Sequence, residues 1–242
     1  MSNTNQVDIS RYIEDKNRKL YTELSKNIEI ELHQISIYDG ISLPHIWGLR
    51  IEKGIAKIYY YKDIEHSGYF THELLHLELI SKGFLDYSDL VNDNINELLQ
   101  PLSINILNSL AHQKIVTRFL ELGYPIEQFN HDYLDFIDET TKNNFASIEF
   151  DKTNVVGYQI SFNWFIKAFY CLKSNYHPKY YKSKVELEEF LIQQNWELYH
   201  LLEKSWLQFS KQNEIENMNH EVKLFFKELN NWIIRNNVEA AN

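Results

Sequence analysis

Two histidines with three residues between them, and a glutamate directly after the first, form the stretch His72-Glu73-Leu74-Leu75-His76. On a helix, residues four apart share one face and stand about 6 Å from each other. Two imidazoles placed this way can both reach one zinc ion at roughly 2.0–2.1 Å. Glu73 leans to the side of that metal, where its carboxylate can take a proton from zinc-bound water already acidified by the cation. Leu74 and Leu75 between the histidines suit a helix buried against a core. The residue types and spacing therefore predict His72 and His76 as metal ligands and Glu73 as a general base.

A catalytic zinc needs a third protein ligand and one open position. The stretch Asn105-Ile-Leu-Asn108-Ser-Leu-Ala-His112 offers His112, which lies 36 residues beyond His76. That distance leaves room for a loop and a returning helix. Asn108, one turn earlier on the same face, is placed to orient His112 or a bound water. Glu97, His131 and Asp132 stand as alternative third ligands. Tyr124, His131 and Tyr133 are candidates for a hydrogen bond to a developing oxyanion. His66, just before the motif, is a candidate for the rim of the cleft.

These residues need elements to hold them. Apolar residues at Ile9, Tyr12, Ile13, Leu20, Leu24 and Ile28 predict an amphipathic helix over 9–30. Residues 31–61 change character, being rich in Ile, Tyr and Trp and broken by Asp39-Gly40, Pro44, Gly48 and Gly54. Two to four short strands are expected there, the clearest over 54–61. Helical periodicity returns over 69–82, with Phe70, Leu74, Leu77 and Ile80 on an apolar face and Gly83 as the stop. A second helix is expected over 95–122, with Pro101 marking a kink or a late start and Gly123 the end. The polar segment 130–147 reads as a loop with a short helix. Three more helices are expected over 155–174, 184–211 and 214–236, the last two forming a hairpin that turns at Gln212 and Asn213.

The bulk numbers exclude several classes. A chain of 242 residues is one large domain or two small ones. Only 7 Gly and 4 Pro favour a mainly helical chain. A formal net charge of -10 repels phosphate backbones and anionic lipid, so neither nucleic acid nor membrane is expected as a partner. Residues 1–11 contain no apolar core of a secretion signal, and no run of about 18 apolar residues occurs. One cysteine, Cys171, rules out an intrachain disulfide and fits a cytoplasmic location. Its aromatic neighbours mark it as a buried thiol rather than a nucleophile. The aromatic residues from Phe162 to Trp232 read as helix-packing core.

Strand, His-Glu-x-x-His helix and a second helix carrying a further ligand resemble the minimal catalytic core of the zincin metallopeptidases. The layout over roughly residues 30–125 is also similar to that of small intracellular bacterial members that cleave repressors or act in stress and phage response. The chain departs from the family pattern at several points. Leu75 stands where many members have Gly. Leu79 and Lys82 occupy the Gly and third-histidine positions of the metzincin motif. The Glu-x-x-x-Asp of the gluzincin second helix is replaced here by Asn108-Ser-Leu-Ala-His112.

The element pattern and the resemblance together predict an α+β fold, predominantly helical. A zincin-like core with a small antiparallel sheet is expected over 1–148 with the N-terminal helix. The helices after 150 resemble no family and are expected, from their periodicity alone, to form a helical bundle packed on it over 149–242. The resemblance implies a zinc-dependent metallopeptidase with His72 and His76 as ligands and Glu73 as general base. Small size and a large non-catalytic helical part lead to the expectation of a specific intracellular protein or peptide substrate and of a regulatory protein partner. The alternatives are a non-peptidase zinc hydrolase and a catalytically inert helical module that binds protein.

Overall fold

The computed structural model describes residues 4–35, 47–61, 66–85, 89–90, 96–129, 148–151, 154–176 and 181–236. These are mostly helical and include a four-stranded sheet, an α+β arrangement. Among them no helix is long and apolar enough to cross a membrane. The chain divides into two units, Met1–Ser81 with Ile115–Asp135 and Lys82–Lys114 with Phe136–Asn242.

The first unit begins with β1 (Thr4–Val7), a turn of 3-10 helix at Ile9–Tyr12, and α1 (Asp15–Leu24). The single helix expected over 9–30 is thus shorter and interrupted. Asp8 accepts a hydrogen bond from Ser10 N and opens the 3-10 turn. Asn17 then accepts one from Glu14 N at 2.9 Å and starts α1 afresh. Beyond Leu24 the pattern is no longer helical, because Ile28, Ile30 and Leu32 alternate with Glu29 and Glu31. That period of two belongs to a strand, and β2 (Glu29–Ile35) forms there.

Strands β3 (Gly48–Glu52) and β4 (Ile55–Tyr61) make a hairpin closed by Lys53 and Gly54. Both turn residues have positive φ, 52° and 81°. A two-residue turn of this hand matches the right-handed twist of the strands, and glycine is the residue that adopts it without steric cost. The sheet order is β1-β2-β4-β3. The expectation of an antiparallel sheet is corrected here: β1 with β2 and β3 with β4 are antiparallel, but β2 and β4 run parallel, from Glu29↔Ile55 to Ile35↔Tyr61. The physical reason lies in which hairpin strand is more apolar. Ala56, Ile58 and Tyr60 of β4 are fully buried, whereas Arg50, Ile51 and Glu52 of β3 are exposed. The hairpin therefore docks through β4, which runs in the same direction as β2, and leaves β3 at the edge.

One face of this sheet supports α2 (Ser67–Ser81), the helix that carries the motif. Trp47 stacks on Tyr60 at 4.9 Å, and Tyr12 meets both rings edge-on at 5.7 Å. The first unit also contains the C-terminal part of α3 (Gln100–Glu121), which continues through the division of the chain, and the short α4 (Ile126–Phe129). Helix α3 begins at Gln100, so Pro101 marks a late start and sits where its missing N–H costs no helical hydrogen bond.

The second unit is built on α5 (Val155–Ser174), α6 (Tyr181–Gln194), α7 (Trp196–Ser210) and α8 (Ile215–Arg235). One helix was expected over 184–211, but two form there. Asn195 breaks the run with an extended φ and caps α7, its side chain accepting from Leu198 N at 2.9 Å. The hairpin expected between α7 and α8 is present. Lys114 donates to the carbonyls of Ser210 and Gln212 at its turn and lies 5.0 Å from the Phe209 ring. The core holds Phe162 stacked on Trp232, with Phe169 against Tyr199 and Tyr170 against Trp206 and Phe225. This matches the reading of those aromatics as packing residues, except that Trp196 of the same set stands exposed at the start of α7. Cys171 is buried among them, and burial pushes its thiol up to about 12.

Candidate metal centre

Helix α2 stops where the sequence places its stop: Gly83 has φ +94°, a conformation that closes a helix and that glycine adopts freely. Its sides are less like the expectation. An amphipathic helix exposes one face, yet every residue from Phe70 to Leu77 is buried, His72, Glu73 and His76 included. Such a helix sits inside its unit rather than on it. Polar groups in that position need partners, and Thr71 shows how these are supplied. Its hydroxyl donates to Ser67 O at 2.7 Å and accepts from Asn17 Nδ2 at 2.9 Å. Asn17 also donates to Tyr12 O at 2.9 Å. One fully buried amide therefore joins the start of α1 to the residue before His72. On the next turn of α2, Glu78 pairs with Arg118 of α3 at 3.1 Å.

The two motif histidines face each other. Their Nε2 atoms lie 2.9 Å apart, and the rings are stacked with centroids 4.9 Å apart and planes 23° from parallel. Neutral imidazoles can share that contact only if one Nε2 carries its proton and the other presents its lone pair. Burial drives the pKa of His76 down to about 4, so this ring is neutral at physiological pH, the form in which imidazole ligates a metal.

His112 on α3 offers a third possible donor. One ligand atom from each of His72, His76 and His112 lies within 4.8 Å of the others, so the three could hold a metal ion. Three imidazole nitrogens are a donor set of the kind zinc takes. At zinc–nitrogen bonds of roughly 2.0–2.1 Å, neighbouring ligand atoms stand about 3.3 Å apart. The 2.9 Å histidine pair would have to open slightly to match that edge. All three rings are nearly inaccessible, at 5% for His72, 9% for His76 and 0% for His112, and Glu73 beside them is 6% exposed.

The other candidates are distributed differently. Glu97 is exposed in the turn before α3 and is outside the histidine group. Asn108 is half-buried one turn before His112 on the same helix. Tyr124 is buried with its hydroxyl towards Thr71, Ser67 and Glu14, and burial raises its pKa. His66 lies exposed at the entry to α2, where its Nδ1 accepts from Gly68 N at 3.3 Å. His131, Asp132 and Tyr133 lie outside the described residues.

Sequence reasoning missed the aromatic wall of the pair. Phe129 is stacked on His72 at 4.6 Å and 10°, and Phe119 meets His72 edge-on at 6.4 Å. Neither has a spacing relation to the motif that could have revealed it. No family model, no curated protein and no solved structure matches the chain.

Proposed function

We propose that the protein is a zinc-dependent metallopeptidase, with His72, His76 and His112 holding the metal and Glu73 acting as the general base. The observation that carries this reading is the convergence of three imidazole nitrogens within 4.8 Å around a His-Glu-x-x-His helix. A zinc ion bound there would act as a Lewis acid, acidifying water and polarising a peptide carbonyl. Glu73 takes the proton that water loses as its oxygen attacks the carbonyl carbon. It then passes that proton to the amine nitrogen as the C–N bond breaks. Its place beside His72 and its burial set the carboxylate next to the histidine group. The histidines, packed and buried, hold their rings in fixed directions.

The experiment is zinc analysis of the purified protein together with Glu73→Gln. The reading expects about one zinc per chain in both proteins and loss of peptide-bond cleavage in the variant by at least ~100-fold. Wild-type protein free of zinc, or a variant that cleaves as well as wild type, would overturn it.

A second reading is favoured by one observation, the depth of the histidines. Structural zinc sites are closed, whereas catalytic ones keep a position open to water and substrate. On that reading the metal braces α2 against α3 and the protein is an inert binding module. It expects Glu73→Gln to leave both zinc content and biological effect unchanged.

A further inference from the structure

The stacking of Phe129 on His72 comes from a residue at the end of a four-residue helix, and two observations fix that helix to the first turn of α2. The Gln128 side-chain amide lies 2.7 Å from His66 Nε2, while His66 Nδ1 accepts from the backbone of Gly68. The space a side chain would take at Gly68 is filled by Gln128, which a Cβ there would strike. Next to this lock, Phe129 is buried and its ring is nearly parallel to that of His72, while Phe119 meets Phe129 edge-on at 5.1 Å.

We propose that Phe129 is a positioning residue for His72, holding the imidazole in the one ring orientation that points Nε2 at His76. The lone pair that ligates a metal lies in the plane of the imidazole. A ring lying flat on a phenyl face cannot turn about its Cβ–Cγ bond without driving an edge into that face. With centroids 4.6 Å apart there is no room for the turn. Groups that orient metal-ligating histidines usually do so by hydrogen bonds to the second ring nitrogen. An aromatic wall adds a constraint of a different kind, exclusion, and α4 is the element that carries the wall. The inference rests on the reading of His72 as a ligand, but the ring orientation it describes exists without the metal.

The test compares Phe129→Leu, Phe129→Tyr and Phe70→Leu with wild type. Phe70 is equally buried and lies on α2 itself, tilted against Tyr12 and Tyr21, so its variant controls for a core defect of the same size. In metal-free protein, at a temperature where circular dichroism shows every variant folded, NMR reads the contact between the Cε1 protons of His72 and His76. Zinc affinity is read by chelator competition. Phe129→Leu is expected to lose the proton contact and to bind zinc about 10- to 100-fold more weakly, while Phe129→Tyr and Phe70→Leu stay within about threefold of wild type. A Phe129→Leu variant that keeps the contact overturns the proposal, and so does a Phe70→Leu variant that loses it equally. If wild type binds no zinc, the metal reading falls while the proton contact still decides the role of Phe129.

Discussion

Asn17 donates a hydrogen bond to the hydroxyl of Thr71 at 2.9 Å, so a residue in the first turn of α1 is tied to the side chain one position before His72. The same amide donates to Tyr12 O and accepts from Glu14 N, and it is fully buried. Asn17→Leu removes all three bonds and leaves Tyr12 O and Glu14 N without this partner. The expected loss of stability is about 2–4 kcal/mol, because stranded buried polar groups cost more than the bonds themselves contribute. Urea unfolding followed by fluorescence measures it. A loss below about 0.5 kcal/mol would show that the junction is not structural.

Zinc held at the proposed site would raise stability by mass action. At a free zinc concentration 100-fold above the dissociation constant the gain is about 2.7 kcal/mol, which for a chain of this size raises Tm by roughly 5–10 °C. His112→Asn keeps a polar side chain but removes the imidazole. The variant is expected to lose this zinc-dependent shift while its metal-free melting point stays within a few degrees of the metal-free wild type. A full shift in the variant would remove His112 from the ligand set.

Cys171 carries a thiol pushed up to about 12 by burial. At pH 8 only about one part in ten thousand would be thiolate, the species that reacts with disulfide reagents. Native protein is therefore expected to leave Cys171 unlabelled over hours and to react with one equivalent at once in denaturant. Rapid labelling of the native protein would contradict the packing described for α5.

Glu188 gives a pH dependence whose direction can be worked out. Partial burial raises its pKa, but the hydrogen bond from Tyr199 and the charge of Lys173, 3.3 Å away, outweigh that, so the net shift is downward. A carboxyl whose folded pKa lies below its unfolded value adds stability that is present above the unfolded pKa. That stability is lost as pH falls through the folded one. Glu188→Gln is thus expected to be less stable than wild type at pH 7 and nearly equal to it at pH 3. The group is partly exposed, so the difference at neutral pH is about 1 kcal/mol or less. Parallel stability curves across that range would show that the pair contributes nothing.

Local signals carried much of this fold and less of the site. Gly83 and the apolar run before it set the end of α2, and Asn154, which caps α5 through Gly157 N at 2.9 Å, sets the start of that helix. The histidine group was legible because i, i+4 spacing is itself a geometric statement. His112 needed only a helix and a chain return. What escaped was decided by non-local packing. The parallel pairing of β2 with β4 depends on which hairpin strand is the more apolar, not on any turn signal between them. Asn195 reads as an ordinary polar residue in a helical run until its side chain is seen to cap α7. Phe129 lies 57 positions from His72, and no periodicity links a phenylalanine on one helix to an imidazole on another.

The Lys53–Gly54 turn sets a timetable for the sheet. A hairpin of this size closes in about 1–10 μs, while β2 must find β4 across a much longer stretch of chain at a higher entropic cost. Early closure of the hairpin would present β4 as a finished template, with the parallel ladder laid down on it afterwards. Gly54 faces open space, so Gly54→Ala disturbs only the backbone at φ +81°. Stopped-flow kinetics should then show refolding slowed and unfolding left nearly unchanged, whereas the reverse pattern would mean that the ladder leads and the turn follows.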